Sequence, residues 1–401
     1  MTGTGTHAEG RPRLIVLATT FPASAGDGVP AFVLDIAREQ AREFDVTVIV
    51  PRVPGAAARE IVDGVDVRRF AYFPRRWERL ANGAILDNLK AKRSNWLQVA
   101  PLMLAQIRAL RRATRELRPA AVHAHWVIPA AVAARFGAPS VPLLVTTHGG
   151  DIYALNRPPI SGIKRSLLRR AGAVTTVNEE MAARLHSWGV SADHISVLPM
   201  GVPLQEAAAV RSRVEPEPGR VTVVGRLVEK KGFGGIIRSV STLESGSADL
   251  TIVGDGPLRA DLERDAAGAA SIRFLGQLSR DRVLEEMGRS SVFAVPSVAA
   301  TSGDQEGLPV VLLEAAAMGC AIVASDLPGI NEAMTDGVDA ILVPPGDVDA
   351  LRDAIARLLA DPALRARLGT AARKRAAHYS LDRVGEQYRA AVRAAIEGAN
   401  S

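Results

Sequence analysis

The sequence predicts an α/β protein of two domains, each built on a parallel sheet. Short apolar runs typical of buried strands alternate with helical patterns, and this alternation starts twice along the chain. The 401 residues exceed what one hydrophobic core usually accommodates. A proline-containing stretch with little strand signal separates the two series. We therefore predict a first domain over 1–203, a linker over 204–219, a second domain over 220–380 and a terminal helix over 381–401.

Composition excludes several classes of protein. The chain is 47% apolar and 23% charged, which is ordinary for a globular protein. Its one cysteine, Cys320, excludes a disulfide framework and a multi-cysteine zinc site, and its apolar neighbours predict a core position. Neither a signal peptide nor a run of about 20 apolar residues is visible. We expect a cytoplasmic protein.

Charge is distributed unevenly between the two halves. Residues 1–200 carry 26 Lys and Arg against 16 Asp and Glu, whereas residues 201–401 carry 23 against 27. Within the first half, residues 72–118 interleave Trp, Phe and Arg before a long basic helix. This pattern suits peripheral contact with an anionic membrane or a phosphate-bearing acceptor. The alternative, to which we give slightly more weight, is a solvated helical insert whose aromatics pack onto the domain. No nucleic-acid-binding module is visible.

The first domain opens with an apolar strand over 14–18, a glycine-containing loop, a helix over 31–42 and a strand over 45–50. This order is one βαβ unit and predicts parallel pairing. Gly28 lies in the loop, where a glycine lets the backbone approach a ligand closely. The loop does not match a dinucleotide-binding fingerprint, and a plain connection remains the alternative.

Histidines mark the ends of two further strands of this domain. One strand, 120–125, contains His123 and His125, which we interpret as structural. The other, 143–147, is followed by His148-Gly-Gly-Asp151. Polar groups at the carboxyl ends of parallel strands are where α/β ligands collect, so His148 and Asp151 are the better functional candidates.

The second domain restarts the alternation with a strand over 221–224. Gly225-Arg226 and, five residues on, Lys231-Gly232 follow it. An arginine fork and a lysine charge on one glycine-bounded loop could clamp a diphosphate, although an ordinary charged turn is the alternative. Two later strands end in Gly254-Asp-Gly-Pro257 and in a loop from Gly276 that could meet a nucleotide base. Asp347 and Asp349 have metal-binding spacing, but a helix N-cap is the preferred interpretation.

Two carboxylates frame the most informative stretch, Glu306-Gly307-Leu308-Pro309 and Glu314. A strand over 292–295 precedes it and a helix of small residues follows. Backbone N–H groups at such a helix start favour anions and hydroxyls. The two glutamates could hold two ends of one polyhydroxylated ligand, although an acid complementing the helix dipole and an exposed glutamate would look the same.

Together these motifs resemble, in order and spacing, the retaining GT-B glycosyltransferases of family 4, over essentially the whole chain. The resemblance implies two Rossmann-like domains with parallel sheets facing across a cleft, and a last helix that returns to the first domain. It implies a transferase with a nucleotide diphosphate sugar, UDP- or GDP-linked, as co-substrate, and with no cofactor or metal. The implied acceptor is a glycan, a lipid-linked sugar or a small molecule.

The resemblance also implies roles for individual residues. Arg226 and Lys231 look like the diphosphate clamp, Glu306 like the ligand of the donor sugar hydroxyls, and Glu314 like the ribose ligand. His148 looks like the residue that reaches the donor sugar near the reacting carbon. The implied catalytic set is His148, Glu306, Arg226 and Lys231. The implied donor-binding set is Gly28, Asp151, Gly225, Gly254, Gly276, Gly307, Leu308, Pro309 and Glu314.

Two other functions remain open from the sequence. A sugar-nucleotide epimerase would share the nucleotide cleft, but it needs more acid and base carboxylates than are visible. A non-catalytic nucleotide-sugar-binding protein would not need Glu306, Glu314, Arg226 and Lys231 together. For transfer with retention, no carboxylate nucleophile is identifiable, so we prefer front-face attack assisted by the leaving phosphate.

Overall fold

The chain folds into two α/β domains, as the strand and helix alternation predicts. The computed structural model describes residues 10–23, 31–83, 85–244, 246–269 and 271–399. Gly28 lies outside these residues. The central strands of each described sheet are rich in Val, Ile and Leu and are buried on both faces, the pattern expected when helices cover a parallel sheet.

The first sheet has eight strands in the order β3-β4-β2-β1-β5-β6-β7-β8. Their bounds are β1 Arg13–Leu17, β2 Asp45–Pro51, β3 Arg59–Val62, β4 Val65–Phe70, β5 Ala121–His125, β6 Leu143–Thr146, β7 Ala173–Thr176 and β8 Ile195–Val197. All pairs are parallel except β3 with β4. That edge hairpin was not predicted, because its strands are short and charged and lack an apolar run.

Seven helices accompany this sheet in the described part of the first domain. They are α1 Phe32–Gln40, α2 Ile85–Ala91, α3 Val99–Leu117, α4 Val132–Gly137, α5 Gly150–Tyr153, α6 Ile160–Leu168 and α7 Glu179–Ser187. The insert before α3 has a small core of its own, which includes Tyr72, Leu80 and Leu102. Its tryptophans do not all pack inward, since Trp77 is 50% and Trp96 61% exposed.

The second sheet has six parallel strands in the order β11-β10-β9-β12-β13-β14. Their bounds are β9 Arg220–Val224, β10 Asp249–Val253, β11 Ile272–Gly276, β12 Val292–Val295, β13 Ile322–Ser325 and β14 Ile341–Val343. The helices are α8 Leu204–Arg211, α9 Phe233–Ser241, α10 Arg259–Asp265, α11 Arg280–Gly288, α12 Val310–Met318, α13 Ile330–Ala333, α14 Val348–Ala360, α15 Pro362–Ala376 and α16 Leu381–Gly398. Asp347 caps α14 by accepting the Ala350 N–H at 2.9 Å, so the N-cap interpretation is confirmed.

The first half of the predicted linker over 204–219 forms α8. Ala207 and Val210 of this helix are buried in the core of the second domain, together with Val202. The helix begins directly after Pro203, and the prolines on either side made the segment look irregular in sequence. Its residues Leu-Gln-Glu-Ala-Ala-Ala-Val-Arg are mostly strong helix formers, so the sequence carries a local helical signal that the neighbouring prolines obscured.

Helix α16 leaves the second domain and lies against the first. Ser380 caps it by accepting the Arg383 N–H. The fully buried Tyr388 donates its hydroxyl to Leu198 O at 3.1 Å, and Arg389 donates to Glu39 O at 2.8 Å. The helix therefore fixes part of the second domain's terminus onto the sheet and α1 of the first domain.

Candidate active site

The candidate site lies where loops of the two domains meet at the carboxyl ends of their strands. Asn178, the N-cap of α7, donates its side-chain amide to Gly307 O at 2.7 Å. Gly149 has φ +95°, and a Cβ there would lie 2.7 Å from Gly307 N. Only glycine meets both conditions. The loop after β6 and the loop before α12 are therefore in direct backbone contact across the cleft.

Glu306 and two lysines form a compact ion cluster in this cleft. Lys231 Nζ lies 3.1 Å from Glu306 Oε2, and Lys230 Nζ lies 3.5 Å from Glu306 Oε1. Lys230 also approaches Asp304 at 3.3 Å. Glu306 is 11% exposed through its side chain, and its buried Oε1 accepts no hydrogen bond from any described residue. That oxygen is buried, and the Lys230 ammonium group lies beside it.

The electrostatics of this cluster keep the carboxylate ionised. Burial alone would raise the pKa of Glu306, but the Lys231 and Lys230 ammonium groups outweigh it and hold the pKa at about 2. Burial lowers the pKa of Lys230, and Glu306 and Asp304 more than compensate. The site therefore presents a fixed negative acceptor beside fixed positive charges.

The predicted diphosphate clamp is divided between two ion pairs. Lys231 contacts Glu306, whereas Arg226 Nη1 lies 3.2 Å from Asp87 Oδ2 on α2 of the first domain. Both cations follow β9. Because Asp87 belongs to the first domain and Glu306 to the second, Arg226 reaches across the cleft and Lys231 pairs within its own domain. A diphosphate that engaged both would exchange the Arg226–Asp87 pair for a phosphate contact.

Three of the predicted donor-binding glycines contact one another. Gly254 donates its N–H to Gly276 O at 2.8 Å. A Cβ on Gly254 would lie 1.9 Å from Gly225 O, and its φ is +131°, so a side chain is excluded there. The loops after β9, β10 and β11 thus form one continuous backbone surface. The side chains of Lys231 and Arg259 border this surface beside Gly225 and Gly276.

Glu314 belongs to a second ion cluster that also joins the two domains. It lies on α12, and its Oε1 is 3.6 Å from Arg280 Nη2 at the start of α11. Arg280 Nη1 in turn donates to Asp35 Oδ2 of α1 at 2.9 Å. Burial raises the pKa of Glu314, and the Arg280 guanidinium opposes that rise. Pro309 is the N-cap of α12, so Gly307 and Leu308 precede the helix as predicted.

His148 is held by neighbouring residues of the first domain. Its Nε2 lies 3.0 Å from Nδ1 of His125, and its ring packs against Trp126 with 4.7 Å between centroids. Burial lowers the pKa of His148 to about 3, and burial lowers that of His125 well below its usual value. His123 is fully buried and contacts Thr146 Oγ1 at 2.7 Å. His123 is therefore a core residue, whereas His125 supports His148.

Asp151 faces the backbone rather than the cleft. Its Oδ1 accepts the His148 N–H at 2.9 Å and its Oδ2 accepts the Val127 N–H at 3.1 Å. The buried Lys164 donates to Asp151 O and Ala154 O, each at 2.8 Å. This arrangement makes Asp151 a support for the two loops that carry His148 and Trp126.

Several residues at the cleft were not predicted from the sequence, among them Asp35, Asn178, Lys230 and Arg280. Lys230 adjoins Lys231, and that adjacency was the available signal. The other three are recognisable only from the docking of the domains. Within the described ranges, no three His, Cys, Asp or Glu side chains cluster as a metal site, and no helix has the length and hydropathy to cross a bilayer.

Family models match both domains of this chain. The model described as Glycosyltransferase Family 4 matches residues 26–206, and the model described as Glycosyl transferases group 1 matches residues 205–375. The chain belongs to glycosyltransferase family 4. The resemblance drawn from the glycine, lysine and glutamate motifs is thereby confirmed.

Curated relatives within family 4 share part of their length with this chain. It is 33% identical to the GDP-mannose-dependent alpha-(1-6)-phosphatidylinositol monomannoside mannosyltransferase of Mycolicibacterium smegmatis, over 60% of this chain and 65% of that protein. It is 32% identical to the amylovoran biosynthesis glycosyltransferase AmsK of Erwinia amylovora, over 40% of this chain and 44% of that protein. The matched regions therefore span about half to two thirds of these relatives.

Solved structures establish the GT-B architecture for this family 4 chain. Sucrose-phosphate synthase from Thermosynechococcus elongatus superposes with a TM-score of 0.74 at 19% identity, covering 94% of this chain and 97% of that one. Anabaena HepE in complex with UDP and glucose superposes with a TM-score of 0.70 at 18% identity, covering 94% and 98%. The predicted fold class is confirmed.

Proposed function

We propose that this protein is a retaining glycosyltransferase that uses a UDP- or GDP-linked sugar. It moves a hexosyl or N-acetylhexosaminyl group to a glycan, lipid-linked or small-molecule acceptor. The observation that carries the proposal is the Glu306–Lys231–Lys230 cluster, in which a buried carboxylate oxygen without a hydrogen-bond partner stands beside two ammonium groups. Hydroxyls and phosphate oxygens of one donor match these two kinds of group.

Each part of the donor has a matching group in the cleft. Glu306 accepts hydrogen bonds from the donor sugar hydroxyls, and Glu314 accepts from the ribose. Lys231 and Arg226 stabilise the charge that develops on the leaving diphosphate, so the proposal assigns this task to side-chain cations rather than to a metal ion. The backbone surface of Gly225, Gly254 and Gly276 is the place proposed for the nucleoside.

The proposed reaction is a front-face displacement. The bond between the sugar C1 and the phosphate oxygen breaks, the acceptor oxygen bonds to C1 on the same face, and the acceptor proton passes to the leaving phosphate. His148, which burial keeps neutral at ordinary pH, positions the donor sugar and does not compete for that proton. The epimerase alternative is not retained, because the named relatives transfer sugars.

Exposed residues of the first domain support contact with a membrane that carries a lipid-linked acceptor. Leu104, Arg108, Arg111 and Arg115 follow helical spacing on one exposed side of α3. Arg108, Arg111, Arg112 and Arg115, with Glu116, line an open groove of about 630 Å³. Leu97 is 72% exposed just before the helix. Exposed apolar residues followed by guanidinium groups suit an anionic bilayer surface.

Thermal unfolding with donors tests the proposal. UDP-, GDP- and ADP-sugars are added separately, and a bound donor raises the unfolding midpoint by mass action. We expect UDP- or GDP-sugars to raise it in the parent and in the exposed-surface control Lys374→Met, but not in Glu306→Ala. NMR of the product then assigns its anomer. An inverted anomer, or a Glu306→Ala variant that turns over at the parental rate, would contradict the proposal.

A further inference from the structure

Three aromatic rings gather at the carboxyl edge of the first sheet, on the opposite side of the cleft from the lysines. The ring centroids of Trp126 and His148 are 4.7 Å apart, those of Phe32 and His148 are 5.1 Å apart, and those of Phe32 and Trp126 are 5.9 Å apart. Phe32 begins α1, which follows β1, while Trp126 follows β5 and His148 follows β6. Because β1, β5 and β6 are neighbours in the sheet, the three residues converge.

These rings differ from the buried aromatic groups beneath them. Phe32, Trp126 and His148 are each only half-buried, whereas His123 and His125 are fully buried. His123 and His125 therefore belong to the core, whereas Phe32, Trp126 and His148 leave part of their ring surface exposed.

Trp126 has a backbone conformation that a residue with a side chain rarely adopts. Its φ is +71° and its ψ is 140°, and such a conformation costs on the order of 1–3 kcal/mol. The residue is held there because its N–H donates to Thr146 O at 2.9 Å and the next N–H donates to Asp151 Oδ2 at 3.1 Å. Strain of this kind is kept at sites where it orients a side chain for function.

The chemistry of the rings indicates the class of ligand. An aromatic face is electron-rich and attracts the C–H bonds that project from one side of a pyranose or cyclitol ring. Both carboxylate oxygens of the nearby Asp151 are already occupied by backbone N–H groups. The contacts that the structure records for Phe32 and Trp126 are with rings and apolar neighbours, which does not suit a phosphate.

We propose that Trp126 and Phe32 form the subsite for the acceptor, against which the C–H face of its sugar or cyclitol ring packs beside His148. The inference rests on the proposed transferase function and adds the class of acceptor group to it. In this arrangement His148 stands between the acceptor ring and the donor sugar held by Glu306. Trp126 and Phe32 bind the acceptor and contribute nothing to donor affinity.

Steady-state kinetics with small acceptors test this subsite. Methyl α-D-mannopyranoside and myo-inositol serve as probes with a saturating donor chosen by thermal shift, and released nucleoside diphosphate is measured. We expect Trp126→Leu and Phe32→Leu each to raise the acceptor KM roughly tenfold, and Trp126→Phe, which keeps a ring, to raise it less than about threefold. Phe274→Leu, a partly buried phenylalanine of the second domain, is the matched control.

A further readout separates recognition from folding. The donor-induced rise in unfolding midpoint should persist in Trp126→Leu and Trp126→Phe, because the proposed donor ligands Glu306, Lys231 and Glu314 lie in the second domain. An acceptor KM that changes less than twofold in Trp126→Leu overturns the inference. So does a parent that hydrolyses the donor but glycosylates neither ring probe, or a Trp126→Phe variant that loses donor binding. If no donor binds the parent, the proposed function fails instead.

Discussion

Arg280 of the second domain donates to Asp35 of the first through one guanidinium nitrogen, 2.9 Å from Oδ2 and 3.3 Å from Oδ1. The same guanidinium lies 3.6 Å from Glu314, the proposed ribose ligand. One cation therefore serves a carboxylate from each domain. The docking of the two domains and the orientation of Glu314 both involve the Arg280 side chain.

Removing Arg280 should destabilise the closed protein. In Arg280→Met two neighbouring buried carboxylates lose their shared cation, and we expect a loss of about 3 kcal/mol in the free energy of unfolding. Asp35→Asn combined with Arg280→Met should cost less than the sum of the two single changes. Chemical denaturation measures the free energy of unfolding of the two single variants and of the double variant. Additive effects would show that the two side chains do not interact.

Arg282, on the same helix as Arg280, provides a control for this prediction. Arg282 pairs with Glu285 at 3.1 Å, but its side chain is 61% exposed. Exposed ion pairs contribute little, so Arg282→Met should change the free energy of unfolding by less than about 1 kcal/mol. A loss as large as that of Arg280→Met would point to helix propensity rather than to the interdomain contact.

Lys231 should matter for turnover and for the acid stability of the site. Its ammonium group contributes to the low pKa of Glu306, about 2 in the folded protein against 4.5 ordinarily. A depressed carboxyl pKa stabilises the fold above pH 4.5, and this stabilisation is lost as the pH falls from 4.5 towards 2. In Lys231→Met this acid-dependent loss should be smaller, and kcat should fall roughly a hundredfold or more.

The matched variant is Lys374→Met, which removes an exposed lysine from α15. It should leave kcat and the acid unfolding profile at parental values. Unfolding midpoints measured every half unit between about pH 5 and pH 2.5 compare the three proteins. If Lys231→Met keeps parental turnover, the diphosphate role of Lys231 is wrong.

Three histidines at the carboxyl edge of the first sheet predict a second pH dependence, at higher pH than that of Glu306. Burial lowers the pKa of His123 and of His148 to about 3, and lowers that of His125 well below 6.5. Below pH 6.5 the unfolded chain therefore binds protons that the folded chain refuses, so stability falls as the pH falls. His125→Gln should reduce this slope by up to about 1.4 kcal/mol per pH unit.

Chemical denaturation at pH 7.5, 6.5, 5.5 and 5 measures the slope of the free energy of unfolding against pH. This range lies above the pH at which carboxylates take up most of their protons. His125→Gln keeps a hydrogen-bonding amide beside His148, so its effect on turnover should be smaller than that of His148→Ala. A stability that is constant over this range in the parent would mean that the three rings accept protons in the folded state.

The fold was more accessible from sequence than the site. Buried strands such as Leu14–Ala18 carry their signal in a few adjacent apolar residues, and these predictions were confirmed. The charged β3–β4 hairpin lacks such a local signal, because it depends on pairing with β2. Helix α8 consists of helix-forming residues, but the prolines on either side obscured that signal. Within the site, Lys231 and Glu306 could be named because each belongs to a local motif. Asp35 and Arg280 are 245 residues apart, and their meeting depends on domain docking.

Gly149 should tolerate no side chain. Alanine there would have a strained φ of +95° and a Cβ 2.7 Å from Gly307 N, so the loop carrying His148 must retreat from the loop carrying Glu306. A displacement of about 1 Å in a catalytic constellation can cost roughly a hundredfold, and we expect that loss in kcat/KM for Gly149→Ala. Gly162→Ala is the control, since nothing lies within 4 Å of its Cβ position. Equal activity of the two variants would contradict the close contact between the domains.

The arginines of α3 should control binding to anionic vesicles. Each Lys or Arg near an anionic surface contributes about 1 kcal/mol, so Arg108→Gln with Arg112→Gln should weaken binding to phosphatidylserine-containing vesicles roughly thirtyfold. Exposed Arg273 on β11 supplies the control, and Arg273→Gln should bind as the parent does. Co-sedimentation at low and high salt measures vesicle binding by the three proteins, and the difference between them should shrink as salt screens the charges.

Turnover of a small soluble acceptor should be unchanged in all of them, because α3 lies outside the residues that contact Glu306 and His148. Parental binding that is equal with neutral and anionic vesicles would remove the membrane surface from the proposal.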